Sequence, residues 1–164
     1  MDESKRKNIR HIVKGIALIL CVLFFTMPLV KCSQDSSLTA SGWEISTGTG
    51  DLFDSSSNSG FPMAFMLLVI PIILLIVAFI STTFAPLRNV SILGLLAQCL
   101  FMIVARIKLN NGELKGAFEL TGYNWLVVFI WFGIIGLMLY CISQEKTKES
   151  DMKEENLQSQ IQGD

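Results

Sequence analysis

The sequence predicts an all-α membrane protein: a four-transmembrane-helix bundle with a small extracytoplasmic cap that contains β-structure. Three observations predict it. Four apolar runs fill residues 12–30, 62–85, 90–105 and 125–142, and about 20 mostly apolar residues in a helix cross a ~30 Å hydrocarbon core. The chain is 51% hydrophobic, so little of it is left over to build a separate soluble domain. The two segments on the outer side of the runs, residues 31–61 and 106–124, carry stretches with the alternation of half-buried strands.

The first run follows a basic start, and Lys14 near its inner end has a stem long enough to bring its ammonium to the interface. A basic start before an apolar run also opens a signal peptide, but the exit Pro28-Leu-Val-Lys-Cys32 lacks the small residues of a cleavage site. Lys31 likewise stands where a lipidation signal places a small residue before its cysteine. The run is expected to remain as a span. In the second, Pro62 suits the first helical turn, where its missing N–H costs nothing. Pro71 lies inside and predicts a kink, and Pro86 is expected to end the helix at Ala85. Asn89 is the expected N-cap of the third span. The short link 86–89 forces spans two and three into an antiparallel hairpin.

Between spans one and two, Gly48-Thr-Gly-Asp51 and Asp54-Ser-Ser-Ser-Asn-Ser-Gly60 read as flexible loop. Residues 37–47 before them are rich in Thr, Trp and Ile and read as a strand, broken at Gly42. In the second outer segment Leu114, Gly116, Phe118 and Leu120 alternate with Lys115, Ala117, Glu119 and Thr121, a second strand expected to pair with the first. Asn111-Gly112 ahead of it reads as a helix C-cap or a tight turn. The fourth span has Gly133 and Gly136 as an expected close-packing face. After it, residues 144–164 are polar and of mixed charge, which predicts a short helical extension fraying into a disordered cytoplasmic tail, separate from the membrane domain 1–143.

Charge sets the expected orientation. With both termini inside, nine of the thirteen Lys and Arg residues lie inside: Lys5, Arg6, Lys7, Arg10, Lys14, Arg88, Lys146, Lys148 and Lys153. Lys31, Arg106, Lys108 and Lys115 lie outside. The cluster before the first span weighs most. The expected place is therefore a plasma or bacterial inner membrane, multi-pass, with cytoplasmic termini. Trp43, Tyr123 and Trp125 then fall at the outer interface and Tyr140 at the inner one, as aromatic belts do.

The pattern Pro28-x3-Cys32, Leu38-Thr-x2-Gly42 and Glu44-Ile-Ser-Thr-Gly48 resembles one in small bacterial four-helix membrane proteins of no assigned role, with a Cys after the first span and a T-x-x-G outer loop. The resemblance implies a bacterial envelope protein and no activity. The layout, a long outer loop, a short inner turn and a shorter outer loop with a strand, is also similar to that of the tetraspan claudins. This chain lacks the paired cysteines of their first loop, so the similarity is one of topology.

Chemistry narrows the function by what is missing from the sequence. Cys21, Cys32, Cys99 and Cys141 form no C-x-x-C pair, and His11 is the single histidine. No span holds an Asp or Glu, the usual carrier of proton-coupled export. Neither a cofactor, a metal nor a nucleic-acid partner is expected, and the chain reads as a non-enzyme. The expected function is association, as an accessory subunit or assembly factor that holds another membrane protein or itself. The alternative is an oligomeric small transporter or pore. Candidate residues are few. Gln98 is the strongly polar side chain deep in a span and reads as an interhelix contact, on one side of the third span with Ser91, Gly94 and Ala97, small residues that permit close packing. Trp43, Ile45, Phe118 and Leu120 are the expected outer interaction surface, and Cys32 is the expected exposed thiol.

Overall fold

The computed structural model describes residues 2–49, 62–111 and 118–161. Four of its helices are long and apolar enough to cross a membrane: α1 (Glu3–Thr26), α3 (Pro62–Ile80), α4 (Ala85–Asn111) and α5 (Tyr123–Ile161). Strands β1 (Pro28–Cys32), β2 (Thr39–Ser41) and β3 (Phe118–Leu120) form one antiparallel sheet, and a short helix α2 (Gly42–Thr47) follows β2. The protein is a multi-pass membrane protein whose helix bundle is capped at one end by this sheet. The serine-rich stretch 51–61 and the strand candidates Leu114 and Gly116 lie outside the described residues, as does Gly112.

The helices pack in chain order, α1 on α3, α3 on α4 and α4 on α5. Along α4 the buried positions are Leu87, Ser91, Gly94, Gln98, Phe101 and Ala105. Their spacing alternates four and three, the 3.5-residue seam by which long helices stay in contact along their length. α1 does the same with Val13, Ala17, Leu20 and Phe24. The opposite faces carry Leu18, Val22, Ile76, Leu96, Phe129 and their neighbours, exposed apolar side chains suited to lipid. Lipid is as apolar as leucine, so the close fit of the seams, rather than water exclusion, holds the helices together.

Helix ends depart from the expected spans, for local reasons. α3 stops at Ile80, and Ser81 turns the chain: its hydroxyl donates to the Thr83 carbonyl at 2.8 Å and accepts from the Thr83 N–H at 3.3 Å. α4 then starts at Ala85, so the link is residues 81–84. Pro86 begins the third span rather than ending the second, because the first helical turn has no use for its missing N–H. Asn89 is accordingly inside α4 and is not its N-cap; its amide oxygen accepts from the neighbouring Arg88 guanidinium. The hairpin of spans two and three stands. At the far end α4 runs to Asn111, past the expected 105. α5 continues without a break to Ile161, where fraying was expected. No Gly or Pro interrupts residues 137–161, good helix formers dominate, and Lys153 reaches Glu149 at 2.9 Å one turn back. That ion pair holds the Glu149 carboxyl below the usual carboxylate range.

Close packing follows the expectation on the third span and departs from it on the fourth. A Cβ on Gly133 or Gly136 would meet nothing within 4 Å, so these glycines are not a packing face. The tight contact is at Gly94, where a Cβ would come within 2.4 Å of the Trp131 ring. The small residue on α4 accepts the buried tryptophan of α5, which is 2% exposed.

Candidate functional site

The capped end is built from the last turn of α1 outward. The residue before a proline is driven to extended backbone, and Met27, before Pro28, closes α1 with φ −90° and ψ 136°. Its N–H still donates to the Leu23 carbonyl at 2.9 Å. The chain therefore passes from membrane helix to strand across one residue. The apolar triplet Pro28-Leu-Val30, expected as the end of span one, is strand β1, and it is the middle strand of the sheet.

β2 and β3 do not pair with each other, as the alternation had suggested. Each pairs with β1: Val30 lies opposite Ala40 on one side and Leu120 on the other. Lys31, opposite Glu119, makes a cross-strand ion pair of 3.4 Å. The turn between β1 and β2 is tied by Asp35, whose carboxylate accepts from the Ser37 hydroxyl at 2.6 Å and the Ser37 N–H at 2.9 Å. Those bonds hold Asp35 below the ordinary carboxylate range.

The strand expected over 37–47 is strand only to Ser41. There a capping box takes over: Ser41 accepts from the Glu44 N–H, and the Glu44 carboxylate accepts from the Ser41 N–H at 2.7 Å. This reciprocal pair is a strong local helix start. Gly48, at φ 68°, closes α2 with the left-handed residue a glycine supplies best. Gly42 lets α2 lie against the bundle, since a Cβ there would fall 2.5 Å from the Phe24 ring.

Helical periodicity sorts the expected surface residues. Ile45 points inward and is buried with Phe24, Leu29, Ala64 and Phe101, so it belongs to the core beneath the cap and not to an outer surface. Trp43 points outward, 41% exposed, and lies over Phe25 of α1 with ring centroids 5.3 Å apart. Leu38, which leads into β2, is exposed beside the turn. Phe118 and Leu120 are half-buried and line a groove of about 700 Å³ between α4, β3 and α5, with Trp125 and Arg106 at its rim. Cys32 is half-buried at the end of β1 and is a free thiol.

Beneath the sheet lies a buried polar junction. Gln98 of α4, 1% exposed, donates from Nε2 to the Asn124 Oδ1 at 3.2 Å. Asn124, on the first turn of α5 and fully buried, donates from Nδ2 to the Leu29 carbonyl at 2.8 Å and the Thr121 carbonyl at 3.2 Å. The Thr121 hydroxyl donates in turn to the Pro28 carbonyl, and its N–H to the Leu29 carbonyl. One side chain thus ties α4, α5 and β1. Sequence reading singled out Gln98 and passed over Asn124, which stands between the belt residues Tyr123 and Trp125. Its signal was an amide placed between two aromatics at the start of an apolar run. Comparison with protein-family models, with curated proteins and with solved structures finds no match.

Proposed function

We propose that this chain is a non-enzymatic integral membrane protein of the cell membrane that works by association, its capped end holding another membrane protein or a second copy of itself. The observation that carries the reading is the aromatic patch of Trp43 on Phe25, exposed with Leu38 on a cap whose strand β1 is tied to α4 and α5 through Asn124. A partly exposed tryptophan on a stiff support is the kind of anchor that dominates protein interfaces. The middle of the bundle supports association over transport: Gln98, its strongly polar side chain, is turned onto Asn124 and closed off by the sheet. The crowding of Lys and Arg at the end with the termini supports a cytoplasmic location for that end and an outer location for the cap.

The test compares two variants expressed as full membrane proteins. Trp43→Glu with Leu38→Glu leaves the core intact and should abolish cross-linking to the partner or to a second copy, while insertion is unchanged. Deleting residues 148–164 should leave the association in place. Loss on tail deletion with retention in the patch variant places the interaction on the other face and sinks the reading. Association unaffected by either change, together with ion flux in proteoliposomes, puts the oligomeric pore in its place.

A further inference from the structure

At the opposite end of the bundle α1, α3 and α5 enclose a cleft of about 750 Å³. We infer that this cleft binds the phosphate of an anionic phospholipid headgroup. The inference stands apart from the association reading and rests on other residues.

The cleft carries an excess of basic groups. Arg6, Lys7, Arg10, Lys14 and Lys148 line it, against Glu3, Glu145 and Glu149. Two of the carboxylates are engaged, Glu145 by Arg6 and Glu149 by Lys153. Among the described residues no carboxylate pairs with Arg10 or Lys14. Arg10 has five N–H donors. One nitrogen, Nη2, donates to the Thr82 carbonyl, whereas Nε is buried with no hydrogen-bond partner among the described residues. A buried donor left unpaired is costly, and a rotation of the guanidinium toward an acceptor in the cleft removes that cost. The Lys14 ammonium lies 3.5 Å from the centroid of the Phe79 ring, a contact that leaves its N–H groups free for an anion.

Depth decides which anion. Phe79 and Ile80, the last residues of α3, are 66% and 77% exposed, so they face lipid. Lys14 reaches the level of Phe79, and Arg10 reaches Thr82 just beyond the helix end. Both cations therefore sit where hydrocarbon gives way to headgroups. The anion concentrated at that depth is lipid phosphate, which basic groups near the surface attract. The guanidinium offers a planar fork matched to phosphate oxygens, and the ammonium adds a point charge beside it.

The experiment reconstitutes full-length protein in phosphatidylcholine nanodiscs with and without phosphatidylglycerol. Native mass spectrometry reads the lipids retained, and thermal unfolding reads their effect. The wild type should retain phosphatidylglycerol in preference to phosphatidylcholine and unfold at a higher temperature when it is present. Lys14→Gln, which removes no hydrogen bond, should weaken the preference about fivefold, and Arg10→Gln added to it should erase the preference. Lys146→Gln, exposed and outside the cleft, should behave as wild type. Inorganic phosphate added to phosphatidylcholine discs should not reproduce the thermal shift. Equal retention of both lipids by the wild type overturns the site. So does an equal loss in Lys146→Gln and Lys14→Gln, which marks diffuse surface charge. Full replacement by inorganic phosphate overturns the lipid as occupant and leaves free phosphate. If the double variant does not fold, Lys14→Gln against Lys146→Gln decides.

Discussion

Asn124 carries more of the structure than any other single polar residue described here. Its two donors and one acceptor serve the Leu29 and Thr121 carbonyls and Gln98. Asn124→Ala removes all three bonds and leaves the buried Gln98 amide without its partner, whereas the Leu29 and Thr121 carbonyls each keep a backbone donor. At about 1–3 kcal/mol for the buried unpaired amide and about 1 kcal/mol for each of the other two bonds, a loss of about 2–5 kcal/mol is expected. Gln98→Leu removes one bond and leaves Asn124 its two backbone partners. Its cost should be that of an interhelical bond in lipid, about 0.6–2 kcal/mol. Unfolding of both variants in detergent checks the order: a Gln98 variant as damaging as the Asn124 variant would contradict the network described. Gln98 could be found in the sequence because it breaks an apolar run. Asn124 could not, because the carbonyl that explains it is 95 residues away in the chain.

At the scale of elements, the glycines divide: Gly94 packs as its place among small residues suggested, and Gly133 and Gly136 do not. Gly94→Ala drives a methyl into the Trp131 ring and should cost about 1–3 kcal/mol through overpacking. Gly133→Ala and Gly136→Ala meet open space and gain helix propensity, up to about 1 kcal/mol for each in a water-exposed helix and less here. Thermal unfolding of the three variants checks this, and destabilisation by Gly133→Ala comparable with that by Gly94→Ala would show the helix–helix contacts to be misplaced. The four spans were legible because an apolar run long enough for a bilayer has few other uses. Their ends were not, because a helix stops where its capping and backbone chemistry say, not where the apolar run does. α1 begins among Glu3, Ser4 and Lys5, and α5 continues through a charged tail. β1 was hidden for the converse reason: Pro28-Leu-Val30 is apolar enough to read as span, and only Pro28 turns it to strand. In α2, the Ser41 and Glu44 pair outweighed the β-favouring Trp, Ile and Thr around it.

For the whole molecule, an even number of crossings brings the start of α1, the α3–α4 turn and the outgoing part of α5 to one end. The contacts of Arg6 with Glu145 and of Arg10 with Thr82 mark it. The sheet, with Cys32 on its middle strand, is at the other. In the proposed orientation the sheet end is external. Cys32 should then react with a membrane-impermeant maleimide on intact cells, or on spheroplasts where there is an outer membrane. A cysteine introduced by Ser150→Cys should react only after permeabilisation. The reverse pattern would invert the orientation.

The middle position of β1 has a consequence in time. A chain emerges from synthesis in order, and β1 meets β2 almost at once, after a turn of six residues, 33–38. Its other edge has to wait for Leu120, ninety positions later than Val30 and beyond two further spans. Until then half of β1's backbone donors and acceptors face outward unpaired, and nothing joins the first span to the last at this end. When β3 arrives, Thr121 and Asn124 close over the same strand within the next four residues. The sheet is therefore a clasp that shuts only on a chain that has made its first three spans, and a product truncated before residue 118 carries an open strand edge that distinguishes it from the finished protein.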